Sequence, residues 1–102
     1  MATISVIIPC YNAGDYIEKT LRALEQQTFQ DFEVIAVDDC SSDNTAEVIR
    51  TIAAGSKLRL ALLQNEVNSG PALSRNRGIA ASSAEFVCFC DSELNIFINE
   101  VL

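Results

Sequence analysis

The sequence predicts an α/β domain built on a parallel sheet, in three layers with helices on both faces. Two observations carry most of that expectation. Short apolar or β-branched runs alternate with segments of helical periodicity in the order βαβαβαβ. Each connection is long enough for a crossover helix, which parallel strands require. If such a sheet is doubly wound with right-handed crossovers, its natural strand order is 3-2-1-4. Ligands then bind beyond the strand C-terminal ends, at the crevice between the first and fourth strands.

The first strand is expected over Ile4 to Ile8, β-branched and bounded by Pro9, with "YNAG" following as a loop. From Asp15, the residues Ile17, Leu21 and Leu24 recur at helical spacing, opposite Glu18, Lys19, Arg22 and Glu25, and the pattern fades by Thr28. Phe32 to Val37 reads as the second strand, broken by "DDCSSD". Asn44, with Glu47 three residues on, can cap a second helix whose Val48, Ile49 and Ile52 face inward and which stops at Gly55. Leu58 to Leu63 is a third strand, and "NEVNSGP" a loop. A short Ala/Ser-rich helix starts near Pro71 and runs to about Ser82. Glu85 to Cys90 is the fourth strand, ending in Asp91.

A length of 102 residues suits one small domain, and a 49% apolar, 21% charged balance is that of a folded chain. No apolar run approaches the roughly 20 residues that span a bilayer. The N-terminus "MATISVIIPCYN" lacks the basic flank and cleavage site of a signal peptide, so a cytoplasmic location is expected. The net charge of −7 disfavours nucleic acid as a partner. With no histidine in the chain, catalysis or metal binding falls to carboxylates, hydroxyls or thiols. Cys10, Cys40, Cys88 and Cys90 match no paired zinc pattern and are expected as free thiols. Cys88 and Cys90 would lie about 6.6 Å apart on one strand face, too far for a disulfide. A thiol cluster of Cys10, Cys40 and Cys90 at the strand ends, open to oxidation or soft metals, is the lesser alternative.

Three segments meet at the expected crevice: "PCYN", "DDCSSD" and "DSE". Neither a G-x-G-x-x-G cradle nor a phosphate-binding P-loop is present. Tyr11 offers a face on which a base can stack, or else packs as an ordinary loop tyrosine. Asp38 and Asp39 alternate in direction, so at most one points into the crevice. Such a carboxylate can accept from an imide N–H or a ribose hydroxyl, or can serve turn and helix N-terminal chemistry, the role preferred for Asp43. Asp91 and Glu93, at i and i+2, suit a hard divalent cation, or are two exposed turn acids. Arg75 and Arg77 can meet a diphosphate or form a solvated helix face; the latter is favoured for Arg77.

Taken together, the stretches "ISVIIPCYNAGDYIEKTLRALEQQTFQDFEVIAVDDCSSDNTAEVI" and "NSGPALSRNRGIAASSAEFVCFCDSE" resemble the N-terminal half of inverting glycosyltransferases of family 2. The resemblance covers nearly the whole chain and implies the GT-A fold, a Rossmann-like nucleotide-diphospho-sugar transferase architecture. It implies a single donor domain over residues 1–102, with the acceptor half absent. By that resemblance Pro9 and Tyr11 line the base, Asn12 belongs to the same motif, Asp39 contacts uracil and Asp38 supports the loop. Arg75 and Asn76 match the family's R-N segment near the nucleotide. Asp91, Ser92 and Glu93 stand where the family has D-x-D: Asp91 toward ribose or metal, Ser92 between them, Glu93 on a Mg²⁺ or Mn²⁺ ion that bridges the diphosphate. The implied partners are a nucleotide-diphosphate sugar, usually a UDP-sugar, and a saccharide or other hydroxyl acceptor, which a carboxylate base deprotonates for inverting attack.

Three departures accompany the resemblance. Glu93 is one methylene longer than the family's aspartate, and Leu94 follows where an acid is common. Cys40 replaces a common glycine. The chain stops at Leu102, before any residue that matches the catalytic base. The chain is therefore expected to be a fragment or a stand-alone donor domain, with a sheet edge that invites homodimerisation. The competing reading is a non-catalytic nucleotide-binding or interaction module that retains the fold. A phosphoacceptor receiver domain fits poorly, because "DD" follows the second strand and no late strand supplies a lysine.

Overall fold

The structure, a computed structural model, describes residues 2–92. Four strands and three helices alternate: β1 (Ile4–Cys10), α1 (Ile17–Glu25), β2 (Phe32–Asp38), α2 (Thr45–Gly55), β3 (Arg59–Gln64), α3 (Pro71–Ala81) and β4 (Phe86–Phe89). All pairings are parallel and the sheet order is β3-β2-β1-β4, as expected. Strands β1 and β2 run in register from Ile4 opposite Phe32 to Cys10 opposite Asp38. Central strands buried on both faces explain why "VII" and "VIAV" read as continuous apolar runs.

Strand β1 extends two residues beyond its expected end at Ile8, through Pro9 to Cys10. The physical reason lies in the alternation of backbone direction. Thr3 and Ile7 present their carbonyls to β4, accepting from Phe86 N and Cys90 N, while Cys10 presents its carbonyl to the β2 side, accepting from Asp39 N at 2.8 Å. Pro9 therefore turns toward β4 beyond its last paired residue, Phe89, and its missing N–H removes no bond of the β1–β2 ladder.

The two sheet faces differ. Val6, Ile8 and Cys10 of β1, with Val34 and Ala36 of β2, pack under Ile17, Leu21 and Leu24 of α1 and Ile49 and Ile52 of α2. On the other face Ile7, Ile35 and Val37 form a smaller core, which α3 covers. Gly78 permits the close approach of α3: a Cβ there would lie 2.5 Å from Ile7 Cγ2. Among the described residues strand β4 pairs only with β1, and its Phe86, Val87 and Phe89 are exposed.

Helix α1 begins two residues later than expected. The chain before it forms a turn, with Ala13 O accepting from Tyr16 N and Ile17 N. At α2, the expected Asn44–Glu47 capping box does not form: Asn44 occupies the N-cap position without a side-chain bond. Asp43 takes that role instead, accepting from Thr45 N at 3.0 Å and from Thr45 Oγ1.

Candidate functional site

Beyond the C-terminal ends of β1 and β4 lie two adjoining cavities that share Pro9 and Pro71 as walls. The larger, about 280 Å³, is also lined by Arg75, Phe89, Cys90 and Asp91. The smaller, about 140 Å³, is lined by Cys10, Tyr11, Asp39 and Ser74. This is the crevice that the strand order selects. Its apolar walls carry an aromatic ring and an acceptor at one end, and a guanidinium and a carboxylate at the other.

Asp39 is 4% exposed, and its charge is met by backbone and amide donors. Oδ1 accepts from Asn65 Nδ2 at 2.9 Å and Ser69 N at 2.6 Å; Oδ2 accepts from Gly70 N at 2.8 Å. Burial alone would raise its pKa, but these three donors outweigh it and hold the carboxyl below the usual carboxylate range. Asp38 turns the other way and accepts from Ser41 N at 3.3 Å and from Ser41 Oγ, within the β2–α2 turn. The adjacent carboxylates are thus separated by strand alternation, each with its own donors.

Tyr11 is 54% exposed at the wall of the smaller cavity. Asn12 is turned inward to the scaffold instead: it sits at φ 48°, and its Oδ1 accepts from Ser42 N at 2.9 Å and Ser42 Oγ at 3.2 Å. Ser41 Oγ accepts from Asn12 N, Thr45 Oγ1 from Ala13 N and Asp43 Oδ2 from Gly14 N, so the β1–α1 and β2–α2 loops are stitched together. Cys40 occupies the left-handed region at φ 60°, the physical reason a glycine suits that position.

Arg75 reaches the larger cavity, its Cζ 5.9 Å from the Phe89 ring centroid. Its neighbour Asn76 is exposed and lines neither cavity. Arg77, expected as part of a solvated face, is exposed yet engaged: it donates to Gln64 O at 2.6 Å and Asn65 Oδ1 at 2.7 Å. Asp91 is exposed at the cavity edge, while Ser92 is buried and its carbonyl accepts from Thr20 Oγ1 of α1 at 2.7 Å. Glu93 lies outside the described residues.

The thiols divide by burial. Cys40 is exposed. Burial pushes Cys10 and Cys90 up to about 12, helped at Cys10 by the charges of Asp38, Cys90 and Asp91 and at Cys90 by those of Cys88 and Asp91. Both stay protonated at neutral pH and are poor nucleophiles. Sequence reasoning missed Asn65, Pro71, Ser74 and Phe89. The available signal was the position of "NSGPALSRN" after β3, from which it can fold over toward the crevice, and it bears only on Pro71 and Ser74.

The parallel β3-β2-β1-β4 sheet with a crevice at its switch point is that of the nucleotide-diphospho-sugar transferase fold of the GT-A kind, which solved structures share. The chain belongs to glycosyl transferase family 2, whose family model matches residues 5–98. It is 42% identical over 96 residues to the poly(ribitol-phosphate) beta-N-acetylglucosaminyltransferase TarS of Staphylococcus aureus, covering 91% of this chain and 16% of that protein. It is 38% identical over 90 residues to the putative teichuronic acid biosynthesis glycosyltransferase TuaG of Bacillus subtilis, covering 88% and 35%. Among solved structures it resembles S. aureus TarS 1-349 in complex with UDP-GlcNAc (TM-score 0.83, 42% identity, 91% and 27% coverage). It also resembles the mannosyltransferase PcManGT of Pyrobaculum calidifontis in complex with GDP-Man and Mn²⁺ (TM-score 0.84, 29% identity, 89% and 27% coverage). The chain thus spans well under half the length of these relatives.

Proposed function

We propose that the chain is the donor-binding domain of an inverting glycosyltransferase, taking a UDP-sugar with Mg²⁺ or Mn²⁺ for transfer to a saccharide or other hydroxyl acceptor. The observation that carries this reading is the divided polarity of the crevice. Tyr11 and the ionised Asp39 stand at the end suited to a base, and Arg75 and Asp91 at the end suited to ribose and diphosphate. Stacking on a tyrosine is worth about 1–3 kcal/mol per base. Arg75 would meet the diphosphate, held in place by Phe89 beneath its guanidinium.

Asp91 is a hard oxygen donor at the open edge of the larger cavity, which fits a cation that keeps most of its ligands as water and phosphate oxygen. Asp91 and Glu93 would hold that ion, and when bound it offsets the charge that develops on the departing nucleoside diphosphate. Within the chain, Pro9 and Pro71 exclude water from the stacked base, Asp39 accepts one N–H, and Arg75 orients the diphosphate. TarS has a UDP-GlcNAc complex and PcManGT a GDP-Man complex; the higher identity to TarS favours uracil here. We place residues 1–102 in a single donor domain; the chain spans 16% of TarS and 35% of TuaG, and the activity of a whole enzyme would need more than this domain.

The test is titration calorimetry of UDP into the purified chain with and without Mn²⁺, with ADP and GDP as controls. Metal-dependent binding selective for UDP is expected; absence of binding to a demonstrably folded chain would overturn the reading. Two further parts rest on separate observations. The exposed apolar edge of β4 supports a homodimer, to be checked by sedimentation at rising concentration. Four free cysteines suit a reducing compartment, so we place the chain in the cytoplasm; among the described residues no helix is long and apolar enough to cross a membrane.

A further inference from the structure

We infer that Asn65 is a positioning residue of the nucleotide site: its side-chain amide fixes the Asp39 carboxylate as an acceptor with a single open position toward the smaller cavity. The inference rests on the reading of that cavity as the base site. A carboxylate offers about four lone-pair positions. Asn65 Nδ2 and Ser69 N take both positions on Oδ1, and Gly70 N takes one on Oδ2. One position on Oδ2 remains, and Asp39 lines the cavity. That position suits one N–H of a ligand and no second donor.

Asn65 is the hub because both of its side-chain polar atoms and its backbone N–H are committed. Nδ2 also donates to Ser74 Oγ at 3.0 Å, Oδ1 accepts from Arg77, and its backbone N donates to Asp38 O at 2.8 Å. A flipped amide would set Oδ1 against the Asp39 carboxylate and Nδ2 against the Arg77 guanidinium, two repulsions in place of two bonds. Arg77 therefore fixes which way the amide points, and through it the orientation of Asp39. The rest of the loop closes around the same residue: Asn68 Nδ2 donates to Asp39 O at 3.3 Å, and Gly70, at φ 91°, turns its N–H to Oδ2 as α3 begins. The other titratable or charged groups near this carboxylate are Cys10 and Tyr11 at the end of β1, its chain neighbours Asp38 and Cys40, and Arg77, which reaches Asn65 and not Asp39.

The test uses the full chain, isotopically labelled, in wild-type, Asn65→Asp and Asn65→Ala forms. The first readout is the Asp39 ¹³Cγ shift against pH, which needs no ligand. Asn65→Asp places two carboxylates at hydrogen-bond distance, so they share a proton, and the upper midpoint of the pair is expected at least about one unit above the ordinary carboxylate value. Asn65→Ala removes one donor and should move the Asp39 midpoint up by about half a unit or more. The second readout is UDP affinity. Wild type should vary little between about pH 5 and pH 8, whereas Asn65→Asp should bind about tenfold more weakly at the upper pH, where the shared proton is lost, and recover at the lower. An Asp39 midpoint unmoved in both variants overturns the inference, as does an Asn65→Asp variant whose UDP affinity follows wild type at both pH values. If Asn65→Asp fails to fold at the upper pH, Asn65→Ala alone decides. If wild type binds no UDP, the donor-site reading falls, while the Asp39 titration still reports whether Asn65 sets that carboxylate.

Discussion

Replacing Gly78 by alanine sets two opposing effects against each other, and their balance tests how α3 is seated. In an exposed helix the change would favour folding by about 0.8–1.0 kcal/mol, because glycine is a poor helix former. In α3 the added Cβ would lie 2.5 Å from Ile7 Cγ2, 3.2 Å from Cγ1 and 3.3 Å from Cδ1. Carbon atoms rest at about 3.5–4.0 Å, so the nearest contact must open by about 1 Å. Ile7 has nowhere to go: it is fully buried and packed with Ile35 and Val37. Either α3 lifts or Ile7 leaves its rotamer, at about 1–3 kcal/mol. The net expectation is a loss of about 1 kcal/mol. Because α3 carries Pro71, Ser74 and Arg75 of the cavity walls, UDP affinity should fall with it. The assay is urea unfolding of wild type, Gly78→Ala, Ile7→Ala and the double variant. Ile7→Ala removes all three clashing atoms at about 2–5 kcal/mol. In that background Gly78→Ala should stabilise, giving a coupling of about 1–3 kcal/mol. A Gly78→Ala chain more stable than wild type by its full propensity, or an additive cycle, would refute the close seating of α3 on β1.

Thr20→Val removes the hydroxyl that holds the Ser92 carbonyl at 2.7 Å and should cost about 1–3 kcal/mol, with Thr20→Ser retaining most of the bond. Under the proposed metal role of Asp91 it should also weaken the Mn²⁺ dependence of UDP binding more than metal-free binding; equal effects would separate Thr20 from that motif. Cys40→Gly relieves a left-handed backbone at φ 60° and should raise stability by about 0.5–1 kcal/mol in urea unfolding, a loss being the contrary result. Cys10 and Cys90 are held as neutral thiols, with folded-state pKa values raised to about 12 from 9.0. Their contribution to stability is therefore complete below about 9 and lost as pH rises toward about 12. Alkaline melts should show that decline, and alkylation near neutrality should label Cys40 first; rapid labelling of Cys10 would contradict its burial.

The sheet order was legible because it follows from alternation and chain economy, which act locally. Ile17, Leu21 and Leu24 announce a buried helix face, and they are all fully buried. The crevice was legible for the same reason, since strand order alone locates it. Less legible were the features decided by partners distant in sequence. Asn12 sits in a site motif, yet its amide oxygen serves Ser42, thirty residues away. Arg77 sits on an exposed helix, yet holds the end of β3. The Asn44–Glu47 pattern matches a capping box, but Asp43, already drawn in by Gly14 N, lies closer to Thr45 N. In each case a local rule offered a sound option and tertiary geometry supplied a competing one.

The paired carboxylates at the end of β2 illustrate why function and architecture are hard to separate at this site. Like charges on adjacent residues would repel if they shared a face, but strand alternation sends Asp38 to the β2–α2 turn and Asp39 to the β3–α3 loop. Each is stabilised by donors that its own loop must present, so each loop is ordered by the charge that it satisfies. Asp39 thereby does two things with one group. It closes the loop that walls the smaller cavity, and it leaves an acceptor position there. A substitution at Asp39 itself disturbs both at once and cannot say which one binding requires. Substitutions one bond removed, at Asn65, alter the carboxylate while leaving its own atoms in place. That is where the structural and the recognitive roles come apart.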